Sequence, residues 1–126
     1  MRTLLSGFAI AATLLCGTSF AHGQKATERY IPIGQSPGLS GKYTSIALIM
    51  EVNSRAQAFT IADSAGPRTV QVTKKTRIWL DRSKLKRSNV VGDFTDLQKG
   101  RRVEVKYEDS RRREVAEWVK VEISKL

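Results

Sequence analysis

Cysteine and histidine are nearly missing from this chain, with one of each in 126 residues. Cys16 lies in an apolar stretch near the start and His22 follows soon after, so no thiol or imidazole exists beyond residue 22. That excludes disulfides, zinc centres and cysteine–histidine or serine–histidine–acid catalysis from the rest of the chain. His22 alone cannot complete a copper site, because no second histidine joins it. Calcium needs several oxygen ligands spaced along one loop, and no segment offers that pattern. Acidic pairs such as Asp93 with Asp96, or Glu108 with Asp109, fall where turns are expected and read as caps and solvated charges. A glycine-rich phosphate loop is also absent. These gaps argue against an enzyme and against any bound metal or cofactor.

Long apolar runs are scarce too. Leu4 to Cys16 is about a dozen residues, short of the ~20 that a membrane-spanning helix needs. Arg2 precedes it, and Thr18-Ser19-Phe20-Ala21 follows with the small-x-small pattern that signal peptidase accepts. Residues 1–21 therefore read as a secretory signal cut near Ala21, which predicts a periplasmic or secreted protein. Lipidation at Cys16 is not expected, because Leu15 stands where a lipobox needs a small residue. Taking residues 1–21 from 126 leaves 105, enough for one domain with no transmembrane segment.

Positive charge is what the chain has in abundance. Lys and Arg number 22 against 12 Asp and Glu, a formal charge of +10, and only Arg2 of these leaves with the signal. A domain this basic attracts anionic surfaces, more weakly as salt rises. Outside the cytoplasm those are lipopolysaccharide, anionic lipids, acidic wall polymers and extracellular DNA. An acidic partner protein is the alternative, and cytoplasmic nucleic acid is not expected.

Residues 22–42 lack periodicity and carry Ile31-Pro32-Ile33-Gly34 and Ser36-Pro37-Gly38, which predicts a flexible extended arm. From residue 43 to 126 period-two alternation predicts a β domain. Ile46, Leu48, Met50 and Val52 alternate with Ala47, Ile49, Glu51 and Asn53. Phe59 and Ile61 form a second strand after the Asn53–Ala56 turn. Val70, Val72, Ile78 and Leu80 form a third. Short helical turns are expected at residues 81–86 and 93–100, the first capped by Asp81 or Ser83. Val103, Val105 and Tyr107 point inward against Arg102, Glu104, Lys106 and Glu108. After a charged hairpin at 109–113, Val115, Val119, Val121 and Ile123 share one parity. Five strands with an interruption after the third match a small OB-like Greek-key barrel. An open sandwich is the alternative.

Thr76-Arg77-Ile78-Trp79-Leu80-Asp81 and Phe94-Thr95-Asp96-Leu97-Gln98-Lys99-Gly100-Arg101-Arg102-Val103-Glu104-Val105, with the Tyr30–Gly38 segment, resemble an uncharacterised family of small exported bacterial OB-like proteins. The resemblance covers roughly residues 43–124 and implies architecture and an exported address. It implies no reaction, since its motif positions are turns and core.

The candidate binding face is a basic stretch interleaved with an aromatic: Lys74, Lys75, Arg77, Trp79, Arg82, Lys84, Lys86 and Arg87. Strand parity puts Trp79 opposite Ile78 and Leu80, and puts Trp118 and Lys120 opposite Val119 and Val121. Two outward tryptophans beside cations would make a stacking platform. The alternatives are a bulge near Glu117 that turns Trp118 inward, and an arm that covers Trp79 through Tyr30 or Ile31. Two further clusters, Lys99-Arg101-Arg102 and Arg111-Arg112-Arg113, read as loop charges. The expected function is non-catalytic binding of an anionic polymer or envelope surface. A protein-interaction or structural module of the envelope is the second reading.

Overall fold

A computed structural model describes residues 27–125. The expected signal at 1–21 and the His22 terminus lie outside the described residues. The described chain is all-β, with strands β1 (Thr44–Asn53), β2 (Ala58–Asp63), β3 (Gly66–Gln71), β4 (Arg77–Asp81), β5 (Val90–Val91), β6 (Arg102–Tyr107) and β7 (Ala116–Glu122). Helical structure within the named elements is confined to 3-10 turns at Glu28–Tyr30, Ser83–Leu85 and Phe94–Asp96. Among the described residues no helix is long and apolar enough to cross a membrane.

The strands form one sheet in the order β3-β2-β1-β6-β7-β4-β5, antiparallel except for the parallel pair β4–β7. This corrects the expected five-stranded barrel: there are seven strands and the sheet is not closed. The reason lies between residues 71 and 77. Thr73 and Thr76 fold the chain back, with Thr76 N–H donating to Thr73 O at 3.1 Å and Thr76 Oγ1 accepting from Thr73 N–H at 2.9 Å. The expected third strand is thereby cut in two, and its halves join different parts of the sheet. Val90–Val91 adds a two-residue edge beside β4. A lone parallel bridge, Gln71–Val115, ties the end of β3 to the chain entering β7, so the sheet is curled rather than flat.

Curling gives the sheet an inner and an outer face. The inner face holds the apolar core, including Ile49, Phe59, Ile61, Val70, Ile78, Val103, Val105, Tyr107, Val119 and Val121. Leu97 plugs it from the Phe94–Asp96 turn, where Asp93 and Asp96 form a reciprocal capping box. Gly100, at φ 89°, follows and supplies the left-handed residue that brings the chain into β6, its N–H bonded to Ile49 O at 2.8 Å.

Two bulges set the parity of the faces. In β1 the register slips between Ile49 and Glu51, so Ile49 and then Val52 face inward while Leu48 and Met50 are exposed. In β7 the slip leaves Glu117 as the extra residue, since Lys106 pairs with Trp118 and Tyr107 with Ala116. Its effect falls on Ala116, which turns into the core. Trp118 keeps the parity of Lys120 on the outer face.

Candidate functional site

The outer face of β6, β7 and β4 is covered by the chain's own arm, residues 27–43. Pairing register places Glu104 opposite Lys120, and Lys120 opposite Trp79. Charged residues at such positions normally face water, yet Glu104 and Lys120 are both 0 % exposed. Each is buried with partners, as an interior charge requires. Glu104 Oε1 accepts from Gly34 N–H at 2.9 Å, and its Oε2 accepts from Ser40 Oγ at 2.7 Å and Thr44 Oγ1 at 2.8 Å. Lys120 Nζ donates to Glu28 Oε1 at 2.9 Å and Ser36 Oγ at 3.1 Å. One row away, buried Asp81 accepts from Ile33 N–H at 2.8 Å and from Ser83 N–H at 2.9 Å. Asn89 reaches the arm from the other side, its Nδ2 donating to Arg29 O at 3.0 Å.

The two tryptophans lie on this same face. Their ring centroids are 5.6 Å apart and the planes are tilted by 36°. Lys120 Nζ sits 4.6 Å from the Trp118 ring, within cation–π range. Trp79 is 6 % exposed and Trp118 3 %, because Ile31, Pro37 and Leu39 of the arm rise beside them. Covering by the arm, one of the alternatives weighed for Trp79, is what the structure has, and Ile31 does the covering while Tyr30 stays 51 % exposed.

The cover is incomplete. A half-open groove of about 870 Å³ remains between the arm and the strands, with Trp79 and Trp118 at its base and Glu28 in its wall. Lys75, Arg77, Lys106 and Glu117 line the side away from the arm. Lys106 Nζ is engaged with Glu117 Oε1 at 3.0 Å. Lys75 and Arg77 are exposed, and among the described residues their cationic groups have no ion-pair partner.

The basic stretch expected as one face is divided by β4 into two groups. Lys74, Lys75 and Arg77 lie at the strand's start, beside the groove. Arg82, Lys84, Lys86 and Arg87 lie beyond its end, around the Ser83–Leu85 turn. Five residues of strand span roughly 13–17 Å, so the two groups cannot grip one small ligand. In the second group Lys84 Nζ pairs with Glu122 Oε2 at 3.2 Å, and Arg82 bonds Ser88 O at 2.7 Å. Lys120, expected beside Trp118 on an open face, is beside it under the arm.

Ser36 Oγ and Lys120 Nζ have the spacing of a serine–lysine pair, but the lysine's proton is directed at Glu28 and the serine hydroxyl also bonds Glu28. Among the described residues no group of three or more His, Cys, Asp or Glu could hold a metal ion.

Sequence reasoning did not identify Glu28, Ser36, Ser40, Thr44, Asp81 and Glu104 as parts of this face. One signal was present: Glu104 and Lys120 have opposite sign and share the parity of both tryptophans. No protein-family model, curated protein or solved structure matches the chain.

Proposed function

We propose that this protein is an exported, non-catalytic binding module for anionic polymers or envelope surfaces, and that its binding element is the groove beneath the arm. The observation that carries the reading is a pair of free cations, Lys75 and Arg77, at the mouth of a cavity floored by two tryptophans. Cations at a concave, partly apolar wall concentrate anions, and the apolar lining, to which Ile31, Pro37 and Leu39 contribute, supplies contact area that a bare basic surface lacks. The formal charge of +10 supports the same partner class. Membership of the exported family resembled by the Phe94–Val105 segment belongs to this reading, as does the secretory signal at 1–21.

Both tryptophans border the groove, so their fluorescence reports its occupation. Titration with heparin, single-stranded DNA and lipopolysaccharide at low salt should give a saturable change that weakens as salt rises. Replacing Lys75 and Arg77 together by Ala should remove most of it, while replacing Lys86 and Arg87 should not. Unchanged emission with every polyanion would rule the groove out as a binding site.

A second reading, a protein-interaction module of the envelope, rests on Leu48 and Met50, which are 54 % and 45 % exposed close together on β1. Selective capture of one acidic protein, lost on Leu48→Ser, would favour it.

A further inference from the structure

We propose that the groove takes an amphiphilic anion, an alkyl or acyl chain ended by a single phosphate, with its head at Lys75 and Arg77 and its chain along the wall formed by the arm. The inference rests on the anion-binding reading of the groove and specifies which anion fits there.

The two walls of the groove differ in kind. The arm side presents Ile31, Pro37 and Leu39, and the strand side presents Lys75, Arg77, Lys106 and Glu117. Pairing register sets Arg77 and Lys106 on either side of Trp118, so charge and indole share one row across the sheet. The cations stand on a fixed footing. Thr76, between Lys75 and Arg77, donates its hydroxyl to Ala116 O at 2.7 Å and ties this turn to β7. Ile31 and Leu39 are only half-buried and Pro37 is exposed, so the apolar wall keeps surface that faces the groove. The volume of about 870 Å³ lies within the ~300–1,000 Å³ of small-molecule sites.

The charges around the groove separate ligand classes. Lys106 is engaged by Glu117, and the Glu28 carboxylate in the wall is engaged by Lys120. That leaves Lys75 and Arg77 as the lining cations without an ion-pair partner among the described residues. Two positive charges match a phosphate monoester, which carries about −1.5 to −2 near neutral pH, and a guanidinium can grip its oxygens in a bidentate fork. A carboxylate answers only one of them. A polyanion running along the groove would bring further charges against Glu28, Glu117 and an apolar wall, where an unpaired charge is costly. An alkyl chain meets no such penalty and is drawn from water by the same wall. One compact head on an apolar body satisfies both sides.

The test titrates the protein with methyl, hexyl, octyl and decyl phosphate, with decanoate and with heparin, following tryptophan emission below the micelle-forming concentration of each amphiphile. Affinity should rise about tenfold or more from hexyl to decyl phosphate, since each methylene fully taken from water is worth about fourfold. Methyl phosphate should show no saturable binding, and decanoate should bind more weakly than decyl phosphate. Replacing Lys75 and Arg77 together by Ala should remove most of the decyl phosphate binding. Leu39→Gln should flatten the dependence on chain length and leave heparin binding intact; if that variant folds poorly, the wild-type series decides alone. Affinity independent of chain length, with heparin still held through Lys75 and Arg77, would overturn the amphiphile and leave the groove to hydrophilic polyanions. Decanoate binding as tightly as decyl phosphate would overturn the phosphate head. Chain-length dependence that survives loss of both cations would place the probes on other apolar surface, such as Leu48 and Met50, and overturn the site. Failure to bind heparin or any alkyl phosphate would remove the anion-binding reading and this inference with it.

Discussion

On the inner side of β6 and β7, Val103, Val105, Val119 and Val121 meet other apolar side chains and are 0 % exposed. On the outer side of the same strands, Glu104 and Lys120 are equally dry. The inner face is closed by the sheet's own curl, and its stabilisation follows the apolar area removed from water. The outer face is closed by residues 27–43, and its stabilisation depends on every charge having a partner at the correct distance. The inner face should therefore tolerate exchange among aliphatic residues of similar volume, whereas the outer face should tolerate almost no single change.

The most damaging test falls on the inner face. Phe59→Ala empties the volume of a ring that is 1 % exposed, and should cost about 3–5 kcal/mol in urea denaturation. The outer face should answer with an asymmetry. Glu28→Gln leaves a fully buried ammonium without its counter-charge and should cost about 3 kcal/mol. Lys120→Met should cost less, because the carboxylate it orphans borders the groove and can draw on water. Combining Lys120→Met with Glu28→Gln should recover most of the loss. A double variant as unstable as the sum of the single variants would show that the two faces are held by the same physics after all.

Smaller effects lie at the boundary between the faces. Tyr107 is a core residue whose hydroxyl donates to Ser45 Oγ at 2.9 Å, so Tyr107→Phe should cost about 1 kcal/mol. Burial holds its phenol above the ordinary value of 10.0, against a smaller opposing effect of the Ser45 bond. The unfolded chain then ionises first. The stability this residue contributes is complete below about pH 10 and falls as pH rises toward the folded value. Tyr107→Phe should flatten that alkaline loss in thermal melts. The least effect is expected at Asp63, whose pKa the Arg68 guanidinium holds below 3.8 against some desolvation. Its contribution is present above that value and is lost as pH falls through the lower folded one. Melts between pH 5 and 2 should show Asp63→Asn with a slightly shallower acid limb than wild type.

How far the sequence disclosed this arrangement varies by element. β6 was legible because its strict alternation separates inward valines from outward charges. The capping turn before Leu97 was legible from Asp93 and Asp96. The parity of β1 was obscured by the bulge at Met50: Ala47 and Ile49 face inward before it and Val52 after it, while Leu48 lies outside. The strand count was missed because Thr73 and Thr76 break one apolar run, and Val90–Val91 is too short to show a period. On the outer face, Glu104 and Lys120 have the pattern of solvated positions, and alternation cannot tell a wet face from one roofed by an aperiodic arm. What the bare sequence did supply was the parity of Trp79, Trp118 and Lys120, and an arm able to cover Trp79 through Tyr30 or Ile31.

The arm also dictates an order of events. Its bonds to Asp81 and Lys120 span 48 and 92 residues, and β4 itself pairs with β7 at the far end of the chain. Closing loops this long is entropically late, so the segment made first is seated last, after the C-terminal strand has completed the sheet. A nascent chain would pass through a stage with Trp79, Trp118 and two unpartnered charges uncovered. Refolding followed by tryptophan emission should end in a separate slow phase that Glu104→Ala delays, marking the moment when the head of the chain closes over its tail.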